Sequence, residues 1–179
     1  MDDPSQKVQG DCSPTTRSHY CGYDTAGKIL QHLLFNIPKA NVTERNFKPA
    51  IKDFRSKGVL KPFSQKEFIS GNDDLTKSEI KDVGYVYYPF NCLEKKCNVH
   101  ISLHGCFGGI EFWATEGTGM IEYAATNDLI VLFPMVERCY DTQGKTGSNY
   151  NNKYGSQPAS FMKMIKRILS PRDPTFEYK

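Results

Sequence analysis

The apolar positions of the chain fall into a few short bursts separated by long polar stretches. Between Asp24 and Pro38, the residues Ala26, Ile29, Leu30, Leu33 and Leu34 recur at i, i+3, i+4, i+7 and i+8. That spacing predicts an amphipathic helix with Asp24 or Thr25 as its N-cap and Pro38 as its end. A second helix is predicted where Phe161, Met164, Ile165, Ile168 and Leu169 form one stripe and Lys163, Lys166 and Arg167 face away. Pro158 sits in its first turn and Pro171 stops it. Three stretches read as strands. Gly84-Tyr85-Val86-Tyr87-Tyr88-Pro89 is aromatic and β-branched and closed by a proline. Residues 98–103 run straight into the turn His104-Gly105-Cys106-Phe107-Gly108-Gly109. Leu129-Ile130-Val131-Leu132-Phe133 is apolar throughout, the pattern of a strand buried on both faces. A weaker helical pattern, interrupted by Gly117 and Gly119, occupies 112–126. Strand, glycine-rich turn, helix and buried strand within about 35 residues make a βαβ unit, and a parallel sheet is its natural consequence. The layout expected is a single α/β domain over 1–179: a loop at 1–21, a helix and surface excursion at 22–81, and a βαβ core with a C-terminal helix at 82–179.

Composition narrows the chemistry. Among 179 residues, 23 Lys and Arg face 20 Asp and Glu, a net charge of +3 without a long basic block, which argues against a nucleic-acid partner. The hydrophobic share of 39% and aromatic share of 12% are enough for a packed core. No apolar run approaches the roughly 18 residues of a membrane helix, so no membrane partner is expected. The start Met1-Asp2-Asp3-Pro4-Ser5-Gln6 is acidic and polar, unlike a secretory signal. Six cysteines in local pairs nevertheless suggest an oxidising compartment. Either a leader belongs to sequence further upstream, or the cysteines serve something other than disulfides. Asn41-Val42-Thr43 is a glycosylation sequon, meaningful if the chain is secreted.

Three constellations suggest chemistry. Gly22-Tyr23-Asp24-Thr25-Ala26-Gly27-Lys28 fits the first seven positions of a phosphate loop, but the eighth is Ile29 and no strand precedes it. Asp24 would also repel a phosphate, and no nucleotide or other cofactor is expected. Cys92, Cys97, His100, His104 and Cys106 crowd together like metal ligands. On one strand, however, His100 and His104 lie about 13 Å apart at ~3.3 Å per residue. No metal is expected, and a local disulfide across residues 93–96 is the simpler use of Cys92 and Cys97. The third is the turn 104–109. A strand ending in His-Gly, with glycines before a helix, resembles the oxyanion turn of α/β-hydrolases, in which backbone N–H groups face a tetrahedral oxyanion. An ordinary tight βα turn has the same pattern. No serine sits in Gly-x-Ser-x-Gly, and Cys106 as a thiolate nucleophile has no identifiable base.

Taken together, residues 82–134 resemble extracellular poly(3-hydroxybutyrate) depolymerases and related secreted esterases. The residues that carry the likeness are Gly84-Tyr85-Val86-Tyr87-Tyr88-Pro89, the pair Cys92 and Cys97, Leu103-His104-Gly105-Cys106, and Ala125 to Pro134. Upstream, Cys21 to Gly27 and Phe63-Ser64-Gln65-Lys66-Glu67-Phe68 also fit, as do Cys139-Tyr140-Asp141 and Gly155-Ser156-Gln157 downstream. The resemblance implies a partial, circularly permuted α/β-hydrolase fold with a mostly parallel sheet. The Ser-Asp-His triad would lie upstream of Met1, and this chain would be the C-terminal half, partnered by the missing N-terminal half of the domain. It further implies that Cys106 donates its backbone N–H to the oxyanion, that Cys12 pairs with Cys21 and Cys92 with Cys97, and that Cys139 has lost its partner with the missing half. Where the family places tryptophans after the late cysteine, this chain has Tyr140, Thr142 and Gln143. Tyr140 alone keeps a ring for substrate contact, which favours a soluble ester over a solid polyester. The implied activity is extracellular carboxylic ester hydrolysis. The contrasting expectation is a non-catalytic truncated paralogue that binds a partner or ligand through the surface left by the missing half, which an exposed sheet edge and unpaired apolar faces on 129–133 would support.

Overall fold

The structure, a computed structural model, describes residues 23–69, 75–106 and 118–170. Four strands form one sheet: β1 (Gly58–Ser64), β2 (Val83–Pro89), β3 (Asn98–Ile101) and β4 (Leu129–Phe133), in the order β1-β2-β4-β3. The helices are α1 (Thr25–Phe35), the single turn α2 (Leu75–Ser78), α3 (Met120–Ala124) and α4 (Ser156–Leu169).

All five residues of β4 are buried, as its unbroken apolar run requires. Its side chains alternate between two layers, as the strand period demands. Leu129, Val131 and Phe133 pack with Leu30 and Leu34 of α1 and Ile121 and Ala124 of α3. Leu132 packs with Phe161 and Met164 of α4. The sheet is thus held between α1 and α3 on one face and α4 on the other. Asp24 is the N-cap of α1, its carboxylate accepting from Gly27 N–H at 2.9 Å and from the Tyr123 hydroxyl. A Cβ at Gly27 would collide with both, so glycine is what lets α1 approach Tyr123. The carboxylate that would repel a phosphate is therefore a helix cap.

The expected βαβ unit is present in its pairing: β3 and β4 are parallel, with Val99 opposite Ile130 and Ile101 opposite Leu132. The expectation of a mostly parallel sheet is corrected. β1 with β2 and β2 with β4 are both antiparallel, so the sheet is mixed. The antiparallel β2–β4 pair alone makes it mixed, and β1, which lies within residues expected to be helix and surface excursion, adds a second antiparallel pair. Lys61 and Pro62 break the apolar alternation of β1, and a proline without an N–H is tolerated at the edge position this strand occupies. The predicted strand 98–103 ends at Ile101, although Ser102 N–H still donates to Leu132 C=O at 2.9 Å. Of the helix predicted over 112–126, the described part is α3, and residues 112–117 lie outside the described residues.

Candidate functional site

The C-terminal ends of the parallel pair β3 and β4 are where an α/β sheet positions a ligand, and the turn His104-Gly105-Cys106 leaves β3 there. Three ties hold it, all to residues that follow β4. Val136 N–H donates to His104 Nε2 at 3.1 Å. His104 N–H donates to the Tyr140 hydroxyl at 3.3 Å, and that hydroxyl donates in turn to Pro134 C=O at 2.7 Å. Cys106 is joined to Cys139 by a disulfide. The His104 and Tyr140 rings lie 4.9 Å apart, and Tyr140 meets Phe161 of α4 edge-on at 5.7 Å. On the other side of the imidazole, Nδ1 is 2.7 Å from Gly105 C=O.

The disulfide corrects the expectation that Cys139 had lost its partner. Its partner is Cys106, 33 residues away in sequence, and the parallel β3–β4 pairing is what brings the two ends together. The same bond removes the thiolate-nucleophile reading of Cys106. Cys92 and Cys97 pair across residues 93–96 as expected. With these four sulfurs in disulfides, none of Cys92, Cys97 or Cys106 is a thiolate ligand. Cys12 and Cys21 lie outside the described residues. His100 is half-buried in β3, and burial pushes its imidazole below the ordinary value.

Tyr140 is placed at the turn, with its hydroxyl committed inward. Burial pushes the phenol up, against the opposing effect of the His104 backbone hydrogen bond, so it remains a protonated donor to Pro134. Asp141 next to it organises the loop that leads to α4. Its two carboxylate oxygens accept from the backbone N–H groups of Gln143, Gly144, Lys145 and Thr146 and from the Thr146 hydroxyl, at 2.7–3.1 Å. Burial would raise its pKa, but these donors, Thr146 foremost, outweigh it and bring the carboxyl from the usual 3.8 to about 2. Asp141 N–H donates to Gln157 Oε1, and the buried Gln157 donates to Ser78 C=O, linking loop, α4 and α2. The signal in the sequence for this scaffold was only Cys139-Tyr140-Asp141 and Gly155-Ser156-Gln157 standing where the resemblance placed them.

Asn41, of the sequon, is exposed at the end of a 3-10 turn, far along the chain from this turn. Asn46 donates to its carbonyl, and Thr43 N–H donates to Asn46 Oδ1. It borders an open cleft of about 530 Å3 at the opposite, N-terminal ends of β3 and β4, which Lys39, Lys48, Lys95 and Lys96 also line. The unpaired apolar faces expected for a binding paralogue are not present on β4. It is buried throughout and paired on both sides. Among the described residues, no three His, Cys, Asp or Glu side chains converge on a metal-sized site, and no helix is long and apolar enough to cross a membrane.

Comparison with known proteins bears on this arrangement. The chain matches no protein-family profile. It is 29% identical over 171 residues to a poly(3-hydroxybutyrate) depolymerase of Delftia acidovorans, spanning 86% of this chain and 31% of that protein. It is 26% identical over 184 residues to a polyhydroxybutyrate depolymerase of Talaromyces funiculosus, spanning 89% of this chain and 49% of that protein. The chain thus spans about a third to a half of these relatives. In fold it is similar to a PHB depolymerase solved as a serine-to-alanine variant with an R3HB trimer, at a TM-score of 0.67 and 25% identity, over 91% of this chain and 54% of that one. The crystal structure of the PHB depolymerase from Penicillium funiculosum matches equally in fold, at a TM-score of 0.67 and 24% identity, again over 91% of this chain and 54% of that one.

Proposed function

We propose that the chain, which is similar in sequence and fold to poly(3-hydroxybutyrate) depolymerases, is of that depolymerase-like family and forms the oxyanion-hole half of an extracellular serine-type carboxylic ester hydrolase. In this reading the Ser-Asp-His triad comes from the remaining half of the domain, which this chain requires as its partner. A serine attacks the ester carbonyl, a histidine carries the proton to the leaving alcohol, and the Cys106 backbone N–H stabilises the oxyanion. The observation that carries the reading is the His104-Gly105-Cys106 turn, held by three ties at the C-terminal end of a parallel strand. The substrate is a polyester or a soluble ester. Tyr140 stands where a substrate-contacting ring is expected, but its hydroxyl is already spoken for, which supports the soluble ester. Two disulfides and an exposed sequon at Asn41 support an extracellular location.

Two measurements test this. Residues 1–179 alone should hydrolyse a short nitrophenyl ester no faster than buffer, since loss of a serine nucleophile costs on the order of 10⁶-fold in turnover. A burst of one product per chain would overturn the placement of the triad outside it. The transcript upstream of Met1 should encode, in frame, a serine elbow, an aspartate and a histidine. A stop codon there would leave the chain without a triad and give the site to a binding protein instead.

A further inference from the structure

The imidazole of His104 touches two backbone groups, and their chemistry fixes its proton. Val136 N–H can only donate, so Nε2, 3.1 Å away, is the unprotonated nitrogen. The neutral ring must then carry its hydrogen on Nδ1, which donates to Gly105 C=O at 2.7 Å. That carbonyl belongs to the same peptide unit as the Cys106 N–H. None of the described peptide bonds is cis, and in a trans peptide C=O and N–H point in opposite directions. A carbonyl turned toward the imidazole therefore turns the Cys106 N–H away from it. No acceptor among the described residues meets that N–H, and a Cβ built at Gly105 would have nothing within 4 Å.

Resting on the ester-hydrolase reading, we propose that His104 is a positioning residue. By bridging Val136 N–H and Gly105 C=O, its imidazole holds the Gly105–Cys106 peptide in the orientation that presents the Cys106 N–H to the reacting carbonyl oxygen. His104 itself moves no proton, because both ring nitrogens are engaged by backbone. Tyr140 supports it by accepting the His104 N–H and packing against the ring. The disulfide to Cys139 holds the far end of the same turn. A free general base would need one nitrogen open toward substrate, and this ring has none.

Asparagine and glutamine separate the two contacts. An asparagine amide nitrogen hangs from Cγ, as Nδ1 does, and can keep the bond to Gly105 C=O. A glutamine amide is one carbon further out and reaches only toward Val136. The direction of the Cys106 N–H vector, read from residual dipolar couplings on the 15N-labelled chain, should be unchanged in His104→Asn and altered in His104→Gln and His104→Ala. The couplings of Val131 in β4 serve as the control for an intact fold. An unchanged Cys106 vector in His104→Ala would overturn the proposal. In the full-length enzyme, His104→Ala should lower kcat by about 10- to 100-fold, short of the ~10²–10³-fold for deleting an oxyanion donor outright. KM should stay within about twofold, as expected when an interaction is made only in the transition state. His104→Asn should recover most of the loss. Recovery by His104→Gln instead, or a loss confined to KM, would assign His104 a different role. If the couplings behave as expected while no form of the enzyme turns over an ester, the ester-hydrolase reading fails and the geometry of His104 stands.

Discussion

At Gly105 the backbone is not in the left-handed region, and no described residue lies within 4 Å of where a Cβ would sit. Neither strain nor packing against the described residues requires glycine there, so the space that glycine leaves lies directly beside the Cys106 N–H. Gly105→Ala should therefore fold normally, with thermal unfolding unchanged or raised by about 0.4–1 kcal/mol through the stiffer unfolded chain. On the proposed ester-hydrolase reading, turnover in the full-length protein should nevertheless fall, because the methyl group occupies the approach to the donor. Calorimetry and kcat/KM on the same preparation check this, and unchanged turnover would remove the reaction from this face of the turn. Asp141 gives the complementary case of a residue tied to stability. Its carboxyl is held at about 2, below the usual 3.8. A depressed carboxylate stabilises the fold above its unfolded pKa, and that contribution disappears as the pH falls from about 4 to about 2. Asp141→Asn should thus be less stable than the parent at pH 7, with the difference shrinking over that window. Urea midpoints at pH 7, 4 and 2.5 read it directly. Of these residues, Cys106 and Tyr140 were legible from motif position, but the roles of their side chains were not. The Cys106–Cys139 bond and the Tyr140 bridge join segments more than 30 residues apart, and local spacing carries no record of such pairings.

Elements whose burial follows a simple period were legible in advance. The 3.6-residue stripe gave α1 and α4, and the unbroken apolar run gave β4, because in each case one face or both meets the core. β1 was hidden because an edge strand buries little. Its exposed Pro62 and Ser64 and half-exposed Lys61 read as surface. Besides its pairing with β2 along its whole length, β1 is fixed by one side chain just past its end. Gln65 is fully buried, donates to Lys81 C=O and Met135 C=O at 2.9 Å each, and accepts from Met135 N–H at 3.1 Å. It clamps the end of β1 to the segment that follows β4, the same segment that anchors His104. Gln65→Leu keeps the volume but takes the amide partner from Met135 N–H and Lys81 C=O, each costing about 1–3 kcal/mol when buried without a partner, while Met135 C=O keeps its bond from Lys81 N–H. A loss of about 3 kcal/mol or more in urea unfolding is expected, and one below about 1 kcal/mol would mean that water replaces the amide. A smaller clamp of the same kind ties the segment between α1 and β1 to the end of α3. Asn127 accepts from Lys48 N–H at 2.7 Å and donates to Lys48 C=O at 2.8 Å.

At the scale of the molecule, the sheet ends differently on its two sides. β1 closes one side as a proline-bearing edge, a common means of discouraging further pairing. β3 forms the other edge among the described residues, and nothing in Asn98-Val99-His100-Ile101 discourages pairing. All four residues of β3 are only half-buried, whereas its neighbour β4 is buried throughout. In the parallel ladder, Asn98 N–H donates to Asp128 C=O and Ser102 N–H to Leu132 C=O. By the alternation of strand hydrogen bonding, the amides of Val99 and Ile101 then point to the outer edge. The chain spans about a third to a half of its curated relatives, and the proposed function supplies the rest of the domain from elsewhere. If that remainder continues the sheet beside β3, the Val99 and Ile101 amides should exchange rapidly in residues 1–179 alone. They should slow by at least about tenfold when the chain is joined to the remainder of its domain, while His100, bonded toward β4, changes little. Hydrogen exchange followed by NMR separates these neighbouring amides. Equal protection of Val99 and Ile101 in both forms would mean that the sheet is already closed at β3, and that the half proposed to carry the triad meets this chain through its loops instead.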